Sequence, residues 1–161
     1  LPAKLPASVV IVQHVDAQFA EGLVAWLQTH SRLPVRIAIE DASPEPGIVY
    51  VAGTNDHLVL DVNRRFRITP DPLGYPYRPS VDVFFNSLCL NWPLRGVAVL
   101  LTGMGRDGAA GLLNLRRAGW RTIAQDEATS VIYGMPKAAA DLDAADQILP
   151  LNKIAAAILA R

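Results

Sequence analysis

The chain has 161 residues, 15 basic and 15 acidic side chains and a hydrophobic share of 51%, enough apolar material for one globular domain and too much for intrinsic disorder. With zero net charge and no lysine or arginine block, it lacks the clustered cations that nucleic acid or an anionic membrane surface requires, and neither partner is expected. Its single cysteine, Cys89, allows no internal disulfide, and no apolar run approaches the roughly 18 residues of a membrane span, so a reduced, cytoplasmic setting is expected.

In chain order, Ser8 to Val12 is a continuous apolar run that predicts a strand buried on both faces, the pattern of a parallel sheet. From Ala17 to about Thr29, Phe19, Leu23, Trp26 and Leu27 recur at spacings of three and four, which lines one face of a helix. Val35 to Ile39 and Ile48 to Ala52 read as strands on either side of the Pro44-Glu45-Pro46-Gly47 turn. Between His57 and Thr69, alternating Leu58, Leu60 and Val62, a turn at Asn63-Arg64, and then Phe66 and Ile68 predict a β-hairpin.

Residues 70–79 hold four prolines and a glycine and predict a shaped loop. Ser80 then stands as an N-cap, with Asp82 in the first turn and Val81, Phe84, Phe85 and Leu88 as the apolar stripe of a helix. Cys89, with mostly apolar neighbours, reads as a small buried hydrophobe. Gly96 to Leu101 is the clearest strand. It leads into Gly103 to Gly108, a helix to about Ala118, a strand from Thr122 to Gln125, a helix from about Pro136, a strand near Gln147 to Leu149 and an alanine-rich terminal helix. The expected fold is α/β: a doubly wound, mostly parallel sheet with helices on both faces and a β-hairpin insertion. Ligands bind such sheets at the carboxyl ends of strands, so the loops after Val12, Ala52 and Leu101 are the places to search.

Two readings compete for the loop after Leu101. Gly103-Met104-Gly105-Arg106-Asp107-Gly108 matches the dinucleotide fingerprint, follows a strand, opens a helix and precedes Asp126 at the end of the next strand. Against it, Asp107 would put a carboxylate where pyrophosphate charge should settle, and the unit comes late in the chain. In the other reading Asp107 orients His14, which closes the first strand. A carboxylate bonded to one imidazole nitrogen fixes the tautomer and leaves the other nitrogen to take a proton from a nucleophile, which is two-thirds of a hydrolase triad. His14, His30 and His57 show no metal-ligand spacing, and neither a metal nor a cofactor is expected.

Five segments, in this order, carry a resemblance: Val12-Gln13-His14, Arg78-Pro79-Ser80-Val81-Asp82, Leu101-Thr102-Gly103-Met104-Gly105-Arg106-Asp107-Gly108-Ala109-Ala110-Gly111, Ala124-Gln125-Asp126-Glu127-Ala128 and Gly134-Met135-Pro136. Over nearly its whole length the chain resembles the chemotaxis-type protein-glutamate methylesterases, the catalytic domain of CheB-like enzymes. The resemblance implies a Ser-His-Asp serine hydrolase that removes methyl groups from glutamyl methyl esters on the signalling helices of methyl-accepting chemoreceptors and deamidates particular glutamines there. It implies that His14 and Asp107 are the catalytic histidine and aspartate, that the backbone at Met104 and Gly105 supports the oxyanion, and that Arg78 stands beside the cleft as a substrate contact. It also implies a response-regulator receiver domain, upstream or separate, as a regulatory partner. Tyr77 departs from the histidine of the best-known members.

The larger departure is the nucleophile, which in this family lies in a Ser/Gly-rich loop upstream of the histidine strand. Ser8 lies at the amino end of its strand, Ser80 fits an N-cap and Ser130 matches a different family position. Residues 1–161 are therefore expected to form a single methylesterase-type catalytic domain entered partway, with a further strand and helix, and the nucleophile, upstream. The alternative is a catalytically inactive module that holds a receptor or response-regulator partner.

Overall fold

The computed structural model describes residues 1–160. After β1 (Val9–Ile11), a 3-10 turn at Ala17–Phe19 runs into α1 (Ala20–His30), followed by β2 (Val35–Ile37) and β3 (Val49–Val51). These strands form one parallel sheet in the order β1-β3-β2. The hairpin is β4 (His57–Leu60) and β5 (Phe66–Thr69), antiparallel, with Arg64 at positive φ in its turn. Then come α2 (Val81–Asn91), β6 (Val97–Leu100), α3 (Ala109–Arg117), β7 (Arg121–Gln125), α4 (Met135–Asp141), β8 (Gln147–Leu149) and α5 (Leu151–Leu159). The second parallel sheet has the order β6-β7-β8.

Every predicted element is present and the α/β, mostly parallel architecture holds, while three details need correction. The parallel strands form two three-stranded sheets rather than one, because β1 and β6 each bond a neighbour on one side only. For the same reason β1 is half-buried rather than buried on both faces. Phe19, just before α1, and Trp26 within it face solvent, Trp26 at 58% exposure. Leu23 and Leu27 of the predicted stripe, joined by Val24, are half-buried and pack on Leu33, Val35, Val49 and Val51. Helical spacing groups residues on a face, but four positions cannot tell which edge of a broad apolar arc the sheet will cover.

The main core lies between the other face of the first sheet and the second sheet. Tyr50, Leu58, Leu60, Phe66, Phe84, Leu100, Leu112 and Leu115 meet there, with Leu88 and Cys89 half-buried at its margin. The loop after Ala52, one of the three candidate ligand loops, serves the scaffold: Asn55 Oδ1 accepts the Ala17 amide at 2.8 Å, holding the entrance to α1.

The tightest helix contact is between α2 and α3, and it joins the second sheet to the hairpin. At Gly111 the backbone of Asp82 and the Phe85 side chain come so close that an added Cβ would lie 3.1 and 2.7 Å from them. This contact brings the N-termini of both helices to one point, directly beneath the loops that follow β1 and β6.

Candidate active site

His14 stands three residues beyond the end of β1, in a segment without regular structure. Asp107 ends the glycine-rich loop between β6 and α3. The fold brings these side chains, 93 positions apart in sequence, into a 2.7 Å hydrogen bond between His14 Nε2 and Asp107 Oδ2. The carboxylate is almost closed off, its side chain 3% exposed, while the imidazole side chain keeps 24% open. A buried acceptor and a half-open ring make an oriented base: Nε2 donates to the carboxylate, so in the neutral ring Nδ1 carries the lone pair.

Asp107 is held by more than the histidine. Ser80 Oγ donates to Oδ1 at 2.7 Å, the Val81 amide donates to Oδ2 at 2.7 Å and the Asp82 amide donates to Oδ1 at 3.1 Å. The last two are orphan donors of the first turn of α2, so the carboxylate caps that helix from another part of the chain and sits at the positive end of its dipole. Burial pushes the Asp107 carboxyl up, but the hydrogen bonds from His14, Ser80, Val81 and Asp82 outweigh it and hold the pKa below the ordinary carboxylate value. The group is a permanent anion at neutral pH.

Ser80 is fully buried, and its hydroxyl also accepts the Val83 amide at 3.3 Å, so it is the N-cap expected from the sequence. Its hydroxyl hydrogen goes to Asp107 and not to the imidazole. Its own amide donates to Nδ1 of the buried His57 at 3.2 Å, which leaves His57 Nε2 to donate to Pro72 O at 3.3 Å. His57 thus ties the proline-rich loop to the cap of α2.

The Gly103–Gly108 loop is built from behind. The buried Gln125 accepts the Thr102 amide at 2.8 Å and donates to Thr129 O at 2.7 Å. Gly103 O accepts the Met135 amide at 2.8 Å, and the Gly103 amide donates to Ile132 O at 3.1 Å. The Gly134-Met135-Pro136 segment is therefore the floor of the loop as well as the entrance to α4. Met104 projects outward, 71% exposed, and among the described residues no acceptor takes its amide hydrogen or that of Gly105. Arg78 lies in the adjoining loop, half-buried, with Nη2 donating to Leu73 O at 3.1 Å. Its guanidinium latches that loop across its own length.

The dinucleotide reading is not supported by this geometry. At the N-terminus of α3, where pyrophosphate would sit, Asp82 Oδ1 already accepts the Gly111 amide at 2.6 Å, and Asp107 lies at the same point. Two carboxylates repel a phosphate. Among the described residues no group of three histidine, cysteine, aspartate or glutamate side chains is arranged to hold a metal ion.

Sequence reasoning singled out His14, Asp107, Met104, Gly105 and Arg78. It missed the bond from Ser80 to Asp107, the clamp by Gln125 and the stacking of Tyr77 on His14. A polar Gln125 at the end of an otherwise apolar strand was the one signal available for these. The other two depend on a cross-chain approach that spacing does not encode.

The family model described as CheB methylesterase matches residues 1–158. The chain is 58% identical over 160 residues to a Burkholderia orbicola protein named protein-glutamate methylesterase/protein-glutamine glutaminase 2, covering 99% of this chain and 48% of the relative. A Cupriavidus metallidurans protein of the same name is 57% identical over 155 residues, covering 96% of this chain and 46% of the relative. The chain thus spans about half the length of the curated relatives it matches. The crystal structure of the Thermotoga maritima CheB methylesterase catalytic domain superposes with a TM-score of 0.93 at 33% identity, covering 99% of this chain and 86% of that one.

Proposed function

Because the chain belongs to the CheB methylesterase family, we propose that residues 1–161 are a single methylesterase-type catalytic domain that hydrolyses glutamyl methyl esters, and deamidates glutamines, on the signalling helices of methyl-accepting chemoreceptors. The observation that carries this reading is the 2.7 Å bond between His14 Nε2 and the buried Asp107 carboxylate, with Nδ1 free to accept a proton. The nucleophilic serine comes from a segment outside these residues. Among the described residues no serine hydroxyl bonds His14: Ser31, Ser87 and Ser130 donate to backbone carbonyls, Ser80 donates to Asp107, and neither Ser8 nor Ser43 bonds the ring. The half-paired edges of β1 and β6, whose carboxyl ends meet at the His14–Asp107 bond, fit a parallel strand that would deliver it there.

In this mechanism His14 Nδ1 takes the serine proton as the serine oxygen attacks the ester carbonyl. Asp107 keeps the ring in its Nε2–H tautomer and balances the imidazolium charge. The Met104 and Gly105 amides face the developing oxyanion, the moment at which preorganised N–H groups lower the barrier most. The imidazolium then protonates the departing methoxide to methanol, or the departing amide to ammonia for a glutamine. Water, deprotonated by the same Nδ1, cleaves the acyl-enzyme to a glutamate carboxylate and restores the serine. Arg78, beside the cleft, contacts the substrate helix. A response-regulator receiver domain gates access, and the setting is cytoplasmic.

Methanol release from a methylated chemoreceptor, assayed with the native upstream sequence included, tests the reading. His14→Ala and Asp107→Ala are each expected to lower kcat by about a thousandfold or more. Full activity in both variants overturns it. Saturable receptor binding with no methanol release from the unmutated protein would instead favour a binding module.

A further inference from the structure

One hydrogen bond does not fix an imidazole. The bond from His14 Nε2 to Asp107 pins one ring atom, on a stretch of chain with no helix or strand to hold it, and leaves the ring free to swing about the line of that bond. A swing of that kind moves Nδ1, the atom that must meet the nucleophile. The second constraint comes from the proline-rich loop: the Tyr77 ring lies parallel to His14, with centroids 4.4 Å apart and planes 13° apart.

Tyr77 is itself held at both ends. On the chain side, Arg78 latches onto Leu73 O, and the Ser80 amide is anchored on the buried His57. At its far end the hydroxyl rests against the glycine-rich loop: a Cβ on Gly105 would lie 2.8 Å from the hydroxyl oxygen. Gly105 has φ +91°, a backbone conformation open to glycine, and its missing side chain is the space the phenol occupies. A flat, anchored face against a flat, singly bonded ring removes the remaining rotation.

We infer that Tyr77 is a positioning residue for His14, setting the plane of the imidazole so that Nδ1 faces outward from the Asp107 pair, and that Gly105 is glycine partly to seat the Tyr77 hydroxyl. The link to catalysis rests on the hydrolase reading above. The link to ring orientation rests on the stacking geometry alone.

The test has two readouts, so that failure of either idea is visible separately. Long-range proton–nitrogen NMR on the protein with its native upstream sequence reads the His14 ring directly. In the native chain and in Tyr77→Phe, the ring is expected as one tautomer, protonated at Nε2, with its carbon-bound protons moved upfield by the stacked neighbour. In Tyr77→Leu, which keeps bulk but not the flat face, the upfield shift is expected to vanish and the nitrogen lines to move toward those of a mobile ring. Tyr77→Met gives the same comparison should the leucine variant fail to fold. Unchanged His14 nitrogen lines in a folded leucine or methionine variant overturn the proposal.

In the methanol-release assay, Tyr77→Leu is expected to lower kcat about 10- to 100-fold with KM within about twofold, and Tyr77→Phe to restore kcat to within about threefold. An effect confined to KM would make Tyr77 a substrate contact and would overturn the positioning role. No methanol release from the unmutated protein would defeat the hydrolase reading while the NMR comparison still decides the orientation.

Discussion

Asp107 caps the helix on which Asp82 stands, and Asp82 caps the helix that Asp107 introduces. The Asp107 carboxylate accepts the Val81 and Asp82 amides at 2.7 and 3.1 Å, and the Asp82 carboxylate accepts the Gly111 amide at 2.6 Å. Each helix end satisfies orphan donors with an anion from its partner, which welds α2 to α3 and places a charged carboxylate under His14. The proposed catalytic orienter is thus also a structural cap, and the two roles separate experimentally.

Asp107→Asn preserves shape and one acceptor but removes the charge that holds the Nε2–H tautomer. Methanol release is expected to fall about 10³- to 10⁴-fold, with KM little changed. Thermal unfolding of the same variant should show a loss of about 1–2 kcal/mol from the weakened cap of α2. Activity within tenfold of the unmutated protein would remove Asp107 from the mechanism.

Acid should weaken the fold through the same residue. The hydrogen bonds on Asp107 outweigh the opposing effect of burial and depress its pKa. Its contribution to stability is therefore complete above the unfolded carboxyl value, about 3.9, and is lost as pH falls through the lower folded value. Asp82 acts with the opposite sign: chiefly burial raises its pKa, so its ionisation costs stability as pH rises from the unfolded value through the folded one. Urea unfolding below about pH 4 should show a steep loss that Asp107→Asn flattens. Asp61 and Asp146, also depressed, leave a residual slope.

Ser80→Ala removes a buried donor to Asp107 and the side-chain cap on the Val83 amide. A stability loss of about 1–2 kcal/mol is expected from thermal unfolding. Turnover should fall by about tenfold at most, because this hydroxyl does not touch the imidazole. Covalent labelling of Ser80 by a serine-directed phosphonate would contradict its assignment as a cap.

Gly111→Ala tests the weld. Its Cβ would come within 2.7 Å of Phe85 Cβ and 3.1 Å of the Asp82 backbone, forcing α3 away from α2 and lengthening the bond from Gly111 to Asp82. Overpacking of this kind costs about 1–3 kcal/mol, read as a shift of the urea midpoint. An unchanged midpoint would mean that the helices separate freely there.

The elements were legible in the sequence because their signals are local. Apolar runs at Val9 and Val97, a proline-glycine turn at Pro46-Gly47, an N-cap at Ser80 and the alternation through Leu58 and Leu60 each need only a few neighbouring residues. His14 and Asp107 were legible for a related reason: each follows an apolar strand, and the carboxyl ends of parallel strands lie on one edge. The solvent-facing side of α1 was not legible, since Phe19 and Trp26 are as apolar as the residues that the sheet covers.

Sequence alone therefore determined the order and type of the elements, the parallel architecture and the two loops that carry the candidate chemistry. Only the tertiary structure decided that Ser80 serves Asp107 rather than His14, that Tyr77 lies flat on the imidazole, that the two aspartates exchange caps, and that β1 and β6 each keep an unpaired edge. The physical reason is range. Propensity and periodicity act over a turn or a strand, whereas a hydrogen bond or a stacked ring is set to tenths of an ångström by packing between segments 27 to 93 residues apart, such as α2 on α3 and the His14 segment against the loop after β6.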